Sequence, residues 1–102
     1  MRQFDAYRNP VPAARGVAPF LVILSSHHLH GLTEVVVAPA VNDAQSTITE
    51  LEIPIVIEDQ ALTLVVSELF STSAHSLRQR VASLAAHEDA IRRALDRLFT
   101  GF

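Results

Sequence analysis

The side chains best suited to chemistry in this 102-residue chain are its histidines, three of them gathered in His27-His28-Leu29-His30. In an extended segment His28 and His30 share a face and could hold a metal, with a carboxylate completing the shell. No Asp or Glu stands within three residues of the cluster, so a polar surface loop is the simpler reading. His75 and His87 stand alone near possible helix starts, where capping or exposure accounts for them. A Ser/His/Asp hydrolase needs a strand–Gly-x-Ser-x-Gly–helix elbow. Three glycines in the whole chain supply neither that elbow nor a phosphate-cradling loop. The absence of cysteine removes disulfides, thiolate metal sites and thiol nucleophiles. Glu88-Asp89 suggests paired carboxylates, yet neighbours on a helix point about 100° apart, so they read better as first-turn charges. Nothing here forms a catalytic constellation. The chain reads as a binding protein and not an enzyme, with no cofactor and no metal.

The stretch that could bind is the carboxyl end. Counting from Leu84, apolar residues fall at Ile91, Leu95, Leu98 and Phe102, the spacing that lines one side of a helix. Asp89, Arg92, Arg93, Asp96 and Arg97 occupy the other side. Glu88 and Asp89 sit in the first turn and Arg97 near the last, each sign at the end of the helix dipole that favours it. Glu88–Arg92 and Asp89–Arg93 are spaced to pair, whereas Arg93–Arg97 sets like charges together. Thr100-Gly101 stops the helix, and Phe102 follows with a free carboxylate.

The elements that must position this helix are mostly strands. Gln3–Tyr7 reads as a first strand, Asn9–Gly16 as a loop, and the apolar run Phe20–Leu24 as a buried strand. Ser26–Thr33 is a connection, and Glu34–Ala38 a Val-rich strand stopped by Pro39. Ala40–Glu50 reads as irregular. Leu51–Ile57 alternates, with Pro54 marking an edge or a bulge. Glu58-Asp59-Gln60 turns the chain into the returning strand Ala61–Ser67. Glu68–Ser76 is a transition, and Leu77, Val81 and Leu84 take up helical spacing that leads into the terminal helix. The fold class is mainly β with a C-terminal helix: a small antiparallel sheet or half-open barrel with one helix packed on it.

Composition bounds the rest. The length suits one domain, 1–102, and 49% hydrophobic content with six aromatics and no Trp implies a modest aliphatic core. A chain this short and apolar often completes its burial by self-association. No run approaches a membrane span and Met-Arg-Gln-Phe is no signal peptide, so a cytoplasmic protein is expected. Residues 1–33 and 69–102 each carry a net +2, while residues 34–68 hold seven acids and no base. Either the ends and the middle attract each other within the fold or a dimer, or the helix offers a basic surface to an acidic peptide. Without lysine or a basic run interleaved with aromatics, direct nucleic-acid binding is not expected.

Leu84-x-x-x-Glu88-x-x-Ile91-x-x-Ala94-Leu95-x-x-Leu98-Phe99-Thr100-Gly101-Phe102 resembles the terminal helix and tail of the CcdB toxins of toxin–antitoxin pairs. Gln3-Phe4-x-x-Tyr7, Leu32-x-x-Val35-Val36-Val37-x-Pro39 and the hairpin Ile53–Val66 agree with it. The resemblance implies an SH3-like barrel with a long C-terminal helix, assembled as a homodimer. It implies poisoning of DNA gyrase, by binding the A subunit and trapping the cleaved DNA complex, without an enzymatic step. The implied gyrase-binding residues are Gly101, Phe102, Thr100, Asp96, Arg93, Asp89 and Glu88, with Ser26, His28 and Leu29 from the loop after the second strand. An acidic antitoxin wrapping the dimer would meet Arg92, Arg93 and Arg97, and Leu98 and Phe99 would lie at the two-fold contact. Three features depart from the family: Thr100 stands where the best-known toxin has an aromatic residue, His28 and His30 replace apolar and acidic residues, and an alanine is added before Pro39. A toxin-fold dimer with a lost or changed target, retaining only antitoxin binding, is the alternative that Thr100 leaves open.

Overall fold

The computed structural model describes residues 1–26, 33–42 and 50–101. Its strands are β1 (Asp5–Arg8), β2 (Phe20–Ile23), β3 (Glu34–Val41), β4 (Glu52–Ile57), β5 (Gln60–Val65), β6 (Phe70–Ser73) and β7 (Arg80–Ser83); the helix α1 (Glu88–Thr100) follows. Among the described residues the strands form one antiparallel sheet in the order β4-β5-β3-β2-β1-β7, with β6 also pairing β3. The sheet curls into a half-barrel that α1 packs against. The expected class, mainly β with one C-terminal helix, is the one observed.

Alternation along β2 explains the two apolar cores. Phe20, Val22 and Leu24 face the larger cluster, with Phe4, Ala6, Ile53, Ile55, Ile57, Leu62 and Leu64. Leu21 and Ile23 face the opposite way, into a smaller cluster with Tyr7, Val37 and Leu77. A strand apolar on both faces is what a continuous run such as Phe-Leu-Val-Ile demands. β4 shows the other pattern: Ile53, Ile55 and Ile57 are buried while Val56 is exposed. Leu51 turns its carbonyl towards Val66 N–H, so Pro54, three residues on, faces away from β5 on the outer edge. A missing donor costs least there. The β4–β5 loop is two residues long, and Glu58 and Asp59 both have positive φ, 51° and 64°. That is the geometry of the tight turn whose twist matches paired strands.

Three expectations are corrected. Pro39 does not stop β3, which continues to Val41 and takes in Ala40 from the stretch read as irregular; residues 43–49 lie outside the described residues. Val36 O and Asn42 N–H both bond on the β2 side, so Ala38 and Ala40 face β2 and Pro39 faces the other way. On that other side β6 pairs only as far as Val37 and β5 only from Ala40. Pro39 occupies the gap, where no ladder bond is interrupted. Phe70–Ser73, read as a transition, is strand β6, and the returning strand ends at Val65 in a short 3-10 turn at Val66–Glu68. Finally, Leu77, Val81 and Leu84 do not share a helix face. Leu77 belongs to the smaller cluster and Leu84 to the larger, on opposite sides of the sheet. Between them Arg80–Ser83 pairs with β1, and Val81 is the extra residue of a bulge opposite Ala6 and Tyr7. The smaller shifts are at β1, which runs from Asp5 to Arg8 rather than Gln3 to Tyr7.

Polar groups at the sheet margins are tied down. Asp5, only 3% exposed, faces Arg80 Nε at 3.1 Å and accepts the Arg2 backbone N–H at 3.2 Å. Asn9 holds the Asn9–Gly16 loop by donating to Ala18 O at 2.8 Å and accepting from Val11 N–H at 3.0 Å. Burial, then the Asp5 carboxylate, push the Tyr7 hydroxyl above its ordinary value of 10.0, with Arg80 opposing.

Two outcomes follow from these sites. Replacing Glu58-Asp59 with Asn-Gly relieves two side chains held at positive φ and should stabilise the fold by about 1 kcal/mol in a denaturant titration. The raised Tyr7 pKa stabilises the folded state fully below pH 10. That contribution is lost as pH rises through the folded value, because the unfolded chain ionises first. Tyr7→Phe should therefore flatten the alkaline fall of the unfolding free energy, read as melting temperature from pH 9 to 12.

Candidate functional site

Helix α1 is laid out as its sequence requires. Ile91 and Ala94 are buried at 0% and 1% exposure, and Leu95 and Leu98 pack beside them against the larger core. Burying Ile91 alone contributes about 2 kcal/mol of transfer free energy. Glu88 and Asp89 occupy the first turn and Arg97 the last. The C-cap is Gly101 at φ 78°, donating its N–H to Arg97 O at 3.0 Å. A Cβ there would meet no atom within 4 Å, so it is the left-handed backbone and not crowding that calls for glycine. Thr100 turns its hydroxyl back to Asp96 O. Phe99 is 70% exposed, and Thr100 and Gly101 are exposed beside it.

Of the residues singled out from sequence, Asp89, Arg93, Asp96, Thr100 and Gly101 are exposed along one helix, and Glu88 and Ser26 are half-buried. Glu88 and Ser26 line one cleft together. His28, Leu29 and Phe102 lie outside the described residues, as do His27 and His30. Leu98 is half-buried against the larger core, which leaves Phe99 as the outward apolar group at the end of the helix.

The arginines divide in a way the sequence does not foretell. Arg92 Nε pairs with Glu88 at 2.7 Å and its guanidinium lies 5.6 Å from the centre of the Phe4 ring. Arg97 pairs with Glu50 and lines the same groove as Arg93. Arg93, expected to pair with Asp89, forms no ion pair among the described residues. It stands on the wall of a groove of about 460 Å³ between α1 and the β4 edge, floored by Ile53, Pro54 and Ala90. On the other side of the helix start lies a cleft of about 520 Å³ that brings Arg2 and Arg80 up to Arg92. Arg2 and Arg80 were missed from sequence because seventy-eight positions separate them and only the β1–β7 pairing brings them together. Among the described residues no three histidine or acidic side chains converge as metal ligands.

Solved structures share this fold. The chain matches a mycobacterial endoribonuclease in complex with its cognate antitoxin at 13% identity, covering 98% of this chain and 95% of that one, with a TM-score of 0.77. Mycobacterium tuberculosis toxin MazF-mt6 matches at 22% identity over 83% of this chain and 94% of its own, TM-score 0.67. A further M. tuberculosis toxin matches at 21% identity over 78% and 91%, TM-score 0.69. These neighbours correct the expectation that the chain is not an enzyme. The same barrel carries endoribonucleases, and a fold can assemble catalytic groups from separate strands without any motif legible in sequence. No curated protein sequence matches the chain. The family described as CcdB protein matches residues 3–101. With nearly the whole length matched, and the barrel and capped terminal helix in place, the chain belongs to the CcdB family of toxin–antitoxin toxins.

Proposed function

We propose that this toxin binds the A subunit of DNA gyrase and traps the cleaved DNA complex, in the cytoplasm and as a homodimer. The observation that carries the reading is the exposed end of α1. Thr100 and Gly101 project beyond the last buried turn, and Asp89, Arg93 and Asp96 line the exposed side leading to them. The antitoxin is an acidic segment that meets Arg92, Arg93 and Arg97: Arg93 holds no carboxylate among the described residues, and Arg92, paired with Glu88 through Nε, keeps its outer donors. Phe99 is the apolar contact offered to the second subunit, with Leu98 behind it.

Purified gyrase, supercoiled DNA and this protein should together accumulate linear DNA after protease treatment. Gly101→Ala combined with removal of Phe102 should lower that yield about tenfold or more. No linear product from the unaltered protein, or cleavage of an RNA substrate in its place, would sink the gyrase reading. The alternative, a toxin-fold dimer that keeps only antitoxin binding, rests on Thr100, and capture of gyrase A by the purified protein would remove it. For assembly, Phe99→Asp should convert dimer to monomer in sedimentation, lowering the melting temperature only by the lost association. Leu98→Asp should lower the melting temperature further, because Leu98 also serves its own core.

A further inference from the structure

The cleft beside the start of α1 gathers three guanidinium groups from three elements: Arg2 from the amino-terminal segment, Arg80 from β7 and Arg92 from α1. Two of them are set in place before any ligand arrives. Buried Asp5 holds Arg80 through its Nε at 3.1 Å, and Glu88 holds Arg92 through its Nε at 2.7 Å while the Phe4 ring backs it. A guanidinium carries five N–H donors, so a pair made at Nε leaves the outer donors of each fork for an oxyanion. Arg2 is exposed at the rim and brings a third charge that no ion pair among the described residues neutralises.

Charge counting decides what fits. Three arginines against Asp5 and Glu88 leave one positive charge in the cleft. That suits a single carboxylate, whereas a nucleic-acid strand would bring several phosphates against two fixed carboxylates. The polar side chains of Ser83 and Ser26 on the wall suit a polypeptide lying across it. We propose that this cleft receives one carboxylate side chain of the antitoxin's acidic segment, gripped by Arg2, Arg80 and Arg92. The site is separate from Arg93 and Arg97, which line the groove on the other side of the helix. It rests on the toxin–antitoxin reading of the family and not on gyrase as the target.

The test uses the whole isotope-labelled protein titrated with a capped hexaglutamate peptide, with capped hexaglutamine and hexauridylate as controls, followed by amide chemical shifts. Hexaglutamate should saturably shift the amides of residues 2–5 and 80–83, and hexaglutamine should leave them in place. Arg2→Gln, at an exposed position outside the core, should weaken the peptide about tenfold. Unchanged affinity in Arg2→Gln overturns the proposal. So do shifts confined to residues 93–97, or hexauridylate binding as tightly as the peptide. Gyrase takes no part in the titration, so a failure here is distinguishable from failure of the gyrase reading.

Discussion

The burial of one narrow apolar seam, Ile91 and Ala94 flanked by Leu95 and Leu98, is what the rest of this molecule depends on. Through these side chains α1 packs onto the larger apolar cluster of the half-barrel. Once that seam is seated, the helix cannot roll without exposing Ile91 or burying an arginine. Everything on its outward side is thereby fixed in direction. Phe99, Thr100 and Gly101 have to leave the body of the protein where they do, and the two clefts have to lie to either side.

Charge then pins what packing has placed. The acidic middle of the chain and its basic ends do meet within the fold: Glu50 holds Arg97, and Glu58 stands 3.8 Å from Arg8. These pairs are exposed and individually contribute little to stability. Their consequence is selective, for they decide which arginines remain open to a visitor. Asp5 differs from the others because it is buried, and its partner Arg80 is held at the mouth of a cleft. A carboxylate sunk in the sheet margin thus directs a cation that faces solvent.

Function in this architecture does not follow from the barrel. The same framework, at 13% identity and nearly full coverage, is that of an endoribonuclease, and a shared fold does not fix activity. The chemistry must therefore be argued from the end of α1 and its flanking clefts.

The sequence by itself determined the elements whose information is local. The period of α1, its Glu88–Arg92 pair, the Gly101 cap and the β4–β5 hairpin were all legible, because each is set by residues within one or two turns of one another. Only the tertiary structure decided that β3 runs through Pro39, since the missing donor falls in a gap between two partner strands that lie far along the chain. It likewise decided that Leu77 and Leu84 serve opposite faces of the sheet, which turns a helical spacing into strand β7. Arg2 and Arg80 became neighbours for the same reason. Strand pairing joins residues without regard to their separation in sequence, so a site built across strands leaves no local pattern to read.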